Sequence, residues 1–318
     1  MTPAIRRVAL VDNPASGSLS SRRGATVQAA LSALESAGIE VEHLTIDGPG
    51  SGAALAREAI GRGCDSVIVC GGDGTVHEVM QCLVGTPIAL GVVPMGTANA
   101  LASNLGLAKS PAEAIRALLA ATPVQVPVGR VFYRNGDGAE HSRYFTVAAG
   151  VGADALLMAR MDPKLKRRFG YLLYMVEAFR IWASHPFPLF QVRFGVNGNG
   201  KPRVEETSQL LAVRVHSFGG VLGTLAPCAT LHSDKLCLLA FKTRSRYRYM
   251  RFLLAVVGQR HTFSRDVEML QADSVECTPQ NGTHVYVEAD GELLGHLPVR
   301  IEVAPETLTL LIPPDARP

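Results

Sequence analysis

Through the first 120 or so residues, short runs of consecutive apolar positions alternate with stretches where apolar residues return every third or fourth place. The runs Val8–Val11, Val41–Ile46, Ser66–Cys70 and Ile88–Val93 read as strands. Between the first two, Val27, Leu31 and Leu34 keep helical spacing up to Gly38, a residue type suited to a helix C-terminus. Ala53–Ile60, Val76–Leu83 and Ala112–Leu119 continue the helical series. Strand and helix in strict alternation predict a doubly wound α/β domain over residues 1–127.

After Pro127 the pattern changes. Asn135-Gly136-Asp137-Gly138 and Asn197-Gly198-Asn199-Gly200 are turn signals between alternating segments, as in antiparallel hairpins. Leu210–Val215, Leu236–Phe241 and Val285–Glu288 read as strands, and two helical stretches, Asp154–Ser184 and Tyr247–Gly258, interrupt them. A β-rich second domain over residues 128–298 is expected.

Composition narrows the classes. The chain has 318 residues, 47% apolar and 19% charged, which suits two packed cores and excludes a disordered or fibrous protein. The net charge of +3 is small for a nucleic-acid binder, and no nucleic-acid motif is present. No signal peptide opens the chain and no stretch of 18 apolar residues occurs, which argues for a cytoplasmic protein without a membrane span. The six cysteines, at 64, 70, 82, 228, 237 and 277, form no Cys-x-x-Cys pair, so buried free thiols in a reducing compartment are expected.

The candidate chemistry sits at strand ends. Val67-Ile68-Val69-Cys70-Gly71-Gly72-Asp73-Gly74-Thr75 is a buried strand running into three glycines and a carboxylate, then a helix. Glycines let backbone approach phosphate oxygens, and the N–H groups of a helix start favour anions. Asp73 among those donors would repel a phosphate unless a Mg²⁺ bridged the two. A tight strand-to-helix turn with Thr75 as N-cap is the plainer alternative. Pro94-Met95-Gly96-Thr97-Ala98-Asn99 and Asn13-Pro14-Ala15-Ser16-Gly17 are further turns after strands, where open parallel sheets bind ligands. Neither a P-loop nor a dinucleotide fingerprint is present, and His77-Glu78-Val79-Met80-Gln81 lacks the second histidine of a zincin. Near the other end, Asp290-Gly291-Glu292 follows a strand. Asp290 suits a general base, and the same dipeptide equally suits a hairpin turn.

Together these segments resemble the diacylglycerol kinase catalytic-domain family, which includes bacterial diacylglycerol kinase-like enzymes and sphingosine kinases. The resemblance rests on Asn13-Pro14-x-Ser16-Gly17, Gly71-Gly72-Asp73-Gly74-Thr75, Glu78, Pro94-x-Gly96-Thr97-x-Asn99, Gly150-x-Gly152-x-Asp154 and Asp290-Gly291-Glu292, in the family's order. It implies an NAD kinase/phosphofructokinase-like α/β domain followed by a C-terminal β-sandwich, a cleft between them, and a last segment, 299–318, returning to the first domain. It implies an ATP-dependent lipid kinase acting on a membrane lipid such as diacylglycerol or a sphingoid base. Asn13, Ser16, Gly17, Thr45, Gly71, Gly72, Asp73, Gly74, Thr75, Glu78, Gly96, Thr97, Asn99 and Glu292 would lie near ATP. Asp73 would serve the phosphates through Mg²⁺, Asp290 would take the hydroxyl proton, and a structural metal would sit at Asp234.

The chain departs from the family pattern at four places. Ala100 stands where an aspartate often follows the asparagine, Pro127 where an acid often precedes Gly-Arg-Val, and His77 where asparagine is common. Ser233-Asp234-Lys235-Leu236 replaces a more usual Asp-Gly-x-Leu. Two basic, aromatic clusters remain. Arg160, Lys164, Lys166, Arg167, Arg168 and Arg180 surround Phe169, Tyr171, Leu172 and Leu173; Lys242, Arg244, Arg246, Arg248 and Arg251 flank Tyr247, Tyr249 and Phe252. They predict peripheral contact with an anionic membrane, against the alternative of two solvated helix faces. Other functional readings are an NAD kinase-like phosphotransferase, or a lipid-binding protein that has lost turnover.

Overall fold

A computed structural model describes residues 5–15, 20–48, 50–107, 110–134, 136, 138–161, 171–195, 203–218, 225–257, 266–280 and 282–316. Ser16, Gly17, the 197–200 turn, and Lys164, Lys166, Arg167, Arg168 and Phe169 lie outside these residues. The chain divides into two compact units, Met1–Pro127 with Pro305–Pro318, and Val128–Ala304.

The first unit is the parallel α/β layer structure that the alternation predicts. Strands β1 (Arg7–Asp12), β2 (Glu40–Thr45), β3 (Ser66–Gly71) and β4 (Ala89–Pro94) stand in the order β2-β1-β3-β4, all parallel. The end of β16 (Val299–Ile312) extends the sheet beyond β4, with Thr309 opposite Ala89 and Leu310 opposite Leu90. Every residue of β3 and β4 is buried, because helices cover both faces. Helix α1 (Ser20–Ser36) packs on α5 (Pro111–Leu119), and α2 (Ser51–Gly61) on α3 (Asp73–Met80). The start of α5 is fixed locally: Ser110 Oγ accepts from Glu113 N–H at 3.2 Å and donates to Glu113 Oε2 at 2.7 Å, with Pro111 in the first turn. A short helix the apolar pattern does not reveal, α4 (Ala100–Asn104), follows β4.

The second unit is an antiparallel sandwich. One sheet runs β12 (Val267–Ala272), β11 (Leu236–Phe241), β10 (Gln209–Val213), β7 (Ala148–Val151), β14 (Tyr286–Ala289), β15 (Glu292–His296). Opposite it, the first residues of β16 pair with β13 (Ser274–Pro279), then β8 (Phe190–Phe194) and β9 (Arg203–Thr207), while β5 (Thr122–Arg134) pairs with β6 (Glu140–Phe145). Inward residues of both sheets, among them Val131, Phe145, Phe190, Leu210, Leu238, Val275, Val287 and Ile301, make the core.

Two expectations need correction here. The stretch Asp154–Ser184 is not one helix: α6 (Ala153–Arg160) ends where Met161 turns to extended backbone, and α7 (Tyr171–Ser184) begins later. The cysteines are not all free: Cys228 and Cys237 form a disulfide with Cα atoms 5.8 Å apart, while Cys64, Cys70 and Cys277 are buried thiols and Cys82 is half-buried. The spacing of nine carries no motif; the turn at Ala226–Ala229 brings the pair together at the start of β11. Helix α8 (Arg246–Val257) completes the unit, and no described helix is long and apolar enough to cross a membrane.

Candidate functional site

In the first unit the strand register brings the turns level. Asp12 lies opposite both Thr45 and Cys70, and Gly71 lies opposite Pro94, so the segments leaving β1, β2, β3 and β4 emerge along one sheet edge. Hydrogen bonds then tie turn to turn. Asn13 donates from its backbone to Cys70 O at 3.3 Å and from Nδ2 to Thr75 Oγ1 at 2.7 Å, and its Oδ1 accepts from Ala15 N–H at 2.9 Å. Asn99, at φ 49°, closes its own turn by accepting from Gly96 N–H at 2.8 Å and donating to Gly96 O at 2.9 Å.

The two glycine turns touch backbone to backbone. A Cβ on Gly96 would lie 2.7 Å from Gly72 Cα, and one on Gly72 would lie 3.1 Å from Gly96 Cα. A side chain at Gly96 would force the backbones apart and one at Gly72 would be tight, which favours glycine at both. Asp73 clamps the contact: its Oδ2 accepts from Asn99 N–H and its Oδ1 from Ala100 N–H, each at 2.8 Å. Buried Ala100 therefore supplies an amide where an acid would bring a second negative charge beside Asp73.

The structure brings Asn13, Gly71, Gly72, Asp73, Thr75, Gly96 and Asn99 together, and leaves Thr45, Gly74 and Thr97 exposed at the ends of the same strands and turns. Glu78 serves elsewhere: its Oε1 accepts from Gly52 N–H at 2.6 Å and Ala53 N–H at 3.3 Å, supplying the cap that α2 lacks at Gly50. The N-cap of α3 is Gly72, not Thr75, which is buried in the first turn with its side chain against Gly71.

No group of three or more His, Cys, Asp or Glu side chains among the described residues could hold a metal. Asp73 lends one lone pair of each oxygen to a backbone amide, and a carboxylate has about four such pairs. One such carboxylate fits a Mg²⁺ held mainly by phosphate oxygens and water, the usual arrangement for this ion. It does not fit a cage built by the protein.

In the second unit Asp290 occupies the turn between β14 and β15 at φ 48°, a left-handed conformation that aspartate tolerates better than most residues. Its N–H donates to Ala148 O at 2.8 Å. Its carboxylate accepts from Thr146 N–H (2.8 Å), Thr146 Oγ1 (3.2 Å), Val147 N–H (2.9 Å) and Ala148 N–H (3.0 Å). The dipeptide makes the hairpin turn, and the turn fixes the carboxylate in place. Thr146 was not legible in the sequence, because its role comes from strand pairing across 144 residues. Exposed Glu292 opens β15 directly after the turn.

Behind Asp290 two acids converge. The carboxyl oxygens of Asp154 are buried without a hydrogen-bond partner, and Glu288 is buried with Oε2 accepting from Gly291 N–H at 2.7 Å. A side chain at Gly150 would collide with Asp154 and lie 2.7 Å from Glu288 Oε1, which accounts for that glycine. Burial pushes Asp154 up to about 7, and burial with the Asp154 charge pushes Glu288 well above the ordinary carboxylate range. Asp154 therefore holds protons that its unfolded form, near 3.8, has released, so stability falls as pH rises between about 4 and 7 and this contribution is constant above. Asp154→Asn removes the penalty: it is expected to be more stable than the parent at pH 8 by about 2–4 kcal/mol, and to flatten the slope between pH 4 and 7 in urea melts. Parallel slopes for the two proteins would sink this assignment.

Comparison with known proteins follows the same division. Residues 7–131 match the family described as diacylglycerol kinase catalytic domain, and residues 145–312 match the YegS C-terminal NAD kinase beta sandwich-like domain. A protein of Mycobacterium tuberculosis named diacylglycerol kinase is 29% identical over 97% of this chain and 96% of its own. One of Chromohalobacter salexigens named probable lipid kinase YegS-like is 32% identical over 83% of this chain and 81% of its own. The crystal structure of a diacylglycerol kinase from Bacillus anthracis str. Sterne shares the fold, with TM-score 0.66, 18% identity and coverage of 98% and 99%. With both halves matched in order over nearly its whole length, the chain belongs to the diacylglycerol kinase family of lipid kinases, in the group that carries a YegS-type C-terminal domain.

Proposed function

We propose that the protein is an ATP-dependent lipid kinase that moves the γ-phosphoryl group of ATP to a hydroxyl of a membrane lipid, diacylglycerol or a sphingoid base. The observation that carries this reading is the side-chain-free contact of Gly72 and Gly96, clamped by Asp73, at the ends of adjacent parallel strands. Such turns offer backbone N–H groups to phosphate oxygens and no bulk to keep them away. A bound Mg²⁺ would supply positive charge between Asp73 and the phosphates.

Asp290 receives the proton of the acceptor hydroxyl as that oxygen bonds to phosphorus and ADP departs. A donor must yield for the proton to arrive; of the four bonds above, that of the Thr146 hydroxyl is the longest at 3.2 Å, and its O–H can rotate away. Transfer of labelled phosphate from ATP into an extracted lipid mixture tests the reading. Label in NAD instead would favour an NAD kinase-like activity, suggested by the description of the domain matching residues 145–312. Lipid binding without transfer would favour a protein that has lost turnover.

The lipid would be met at a membrane surface, by a cytoplasmic protein bound peripherally. The cationic clusters are weaker than they look in sequence: Arg248 and Arg251 both pair with Asp266, and Lys242 pairs with Glu205 and Glu268. What α7 and α8 expose instead is apolar, Met175 (53%), Phe179 (61%), Tyr247 (83%) and Leu254 (65%), with Arg244 and Arg246 exposed beside them. The Trp182 indole donates to Arg246 O at 2.9 Å, joining the helices. Sedimentation with phosphatidylglycerol vesicles is expected to fall about tenfold or more for Phe179→Ser/Tyr247→Ser, which removes two aromatic anchors worth about 1 kcal/mol or more each. Unchanged sedimentation would rule this face out.

A further inference from the structure

One loop of the second unit is folded around a positive charge of its own. Arg214, directly after β10, is completely buried and, among the described residues, the largest side chain to be so. Nη1 donates to Lys235 O and Nη2 to Leu231 O, both at 3.0 Å. Burial lowers the Arg214 guanidinium to about 10, and the charge of Asp234, between those residues in sequence, partly offsets this. The loop begins and ends at the Cys228–Cys237 disulfide.

Two carbonyl oxygens and a carboxylate are donors that a hard divalent cation would take. Here the two carbonyls already bond a guanidinium, whose charge would repel a second cation. Asp234 therefore does not fit the structural metal that the family resemblance places there. The backbone extends the connection: Arg214 N–H donates to Val147 O at 2.9 Å, and Val147 N–H donates to Asp290 Oδ1 at 2.9 Å.

We infer that Arg214 is the permanent counter-cation of the 231–235 loop and takes the place of a structural metal, so that this chain binds no divalent ion at Asp234. The full chain without nucleotide is expected to melt at one temperature in EDTA, in Mg²⁺ and in Ca²⁺. Arg214→Met, which keeps the stem and removes the charge, should melt about 6–15 °C lower, because it leaves buried oxygens uncompensated, and Arg214→Lys should recover part of that loss. Should Arg214→Met fail to fold, titration with Mn²⁺ followed by electron paramagnetic resonance decides the matter, since exposed Asp234 tolerates substitution. The parent and Asp234→Asn should give the same binding curve. A Mn²⁺ site present in the parent and lost in Asp234→Asn, a parent that melts lower in EDTA, or an Arg214→Met protein as stable as the parent would each overturn the inference. None of these readouts depends on phosphate transfer.

Discussion

Asp290→Asn is expected to lower lipid phosphorylation about 10²–10⁴-fold, the range for a lost general base, while leaving KM for ATP within a factor of a few. The asparagine keeps the size of the side chain but turns an NH₂ toward groups that are all donors: three backbone N–H groups and the Thr146 hydroxyl. At least one backbone amide loses its acceptor, so the melting temperature should fall too, by the equivalent of about 1–3 kcal/mol. Thr146→Val separates the two effects. It removes the yielding donor and keeps the backbone bonds, so turnover should survive while the melting temperature stays near that of the parent. An Asp290→Asn protein with full turnover would end the base assignment.

Asp73→Ala should cost about 10³-fold or more in kcat/KM for ATP, because the side chain both clamps the glycine contact and is the proposed partner of the Mg²⁺. The clamp is separable from the metal by measuring the protein without nucleotide. Loss of the two 2.8 Å bonds leaves the Asn99 and Ala100 amides, at the start of α4, without their acceptor, an expected loss of about 2–3 kcal/mol. A side chain serving only a metal would leave stability without nucleotide and metal unchanged. A normal urea midpoint for Asp73→Ala would therefore remove the clamp, and normal kinetics would remove Asp73 from the site.

The chain's own order of residues was enough for the layered first unit. Runs such as Val67–Cys70 and Leu90–Val93 are apolar at every position, which only a strand covered on both faces can use, and the helical periods between them dictate the crossovers. It was also enough to place the glycine turns at the ends of buried strands, where the structure has them. The sandwich was legible as a class, from turn signals and alternation.

Side-chain duties were decided by the folded state. Glu78 caps α2, Thr146 holds Asp290, and Arg214 fills a loop, and in each case the partner is remote in sequence or set by strand pairing that no local pattern encodes. The same holds for the second basic cluster, where Lys242, Arg248 and Arg251 pair with Glu205, Glu268 and Asp266. Periodicity reports which residues leave water, because that depends on neighbours a few positions away. Which polar atom meets which depends on distance in space, and that exists only once the strands have paired.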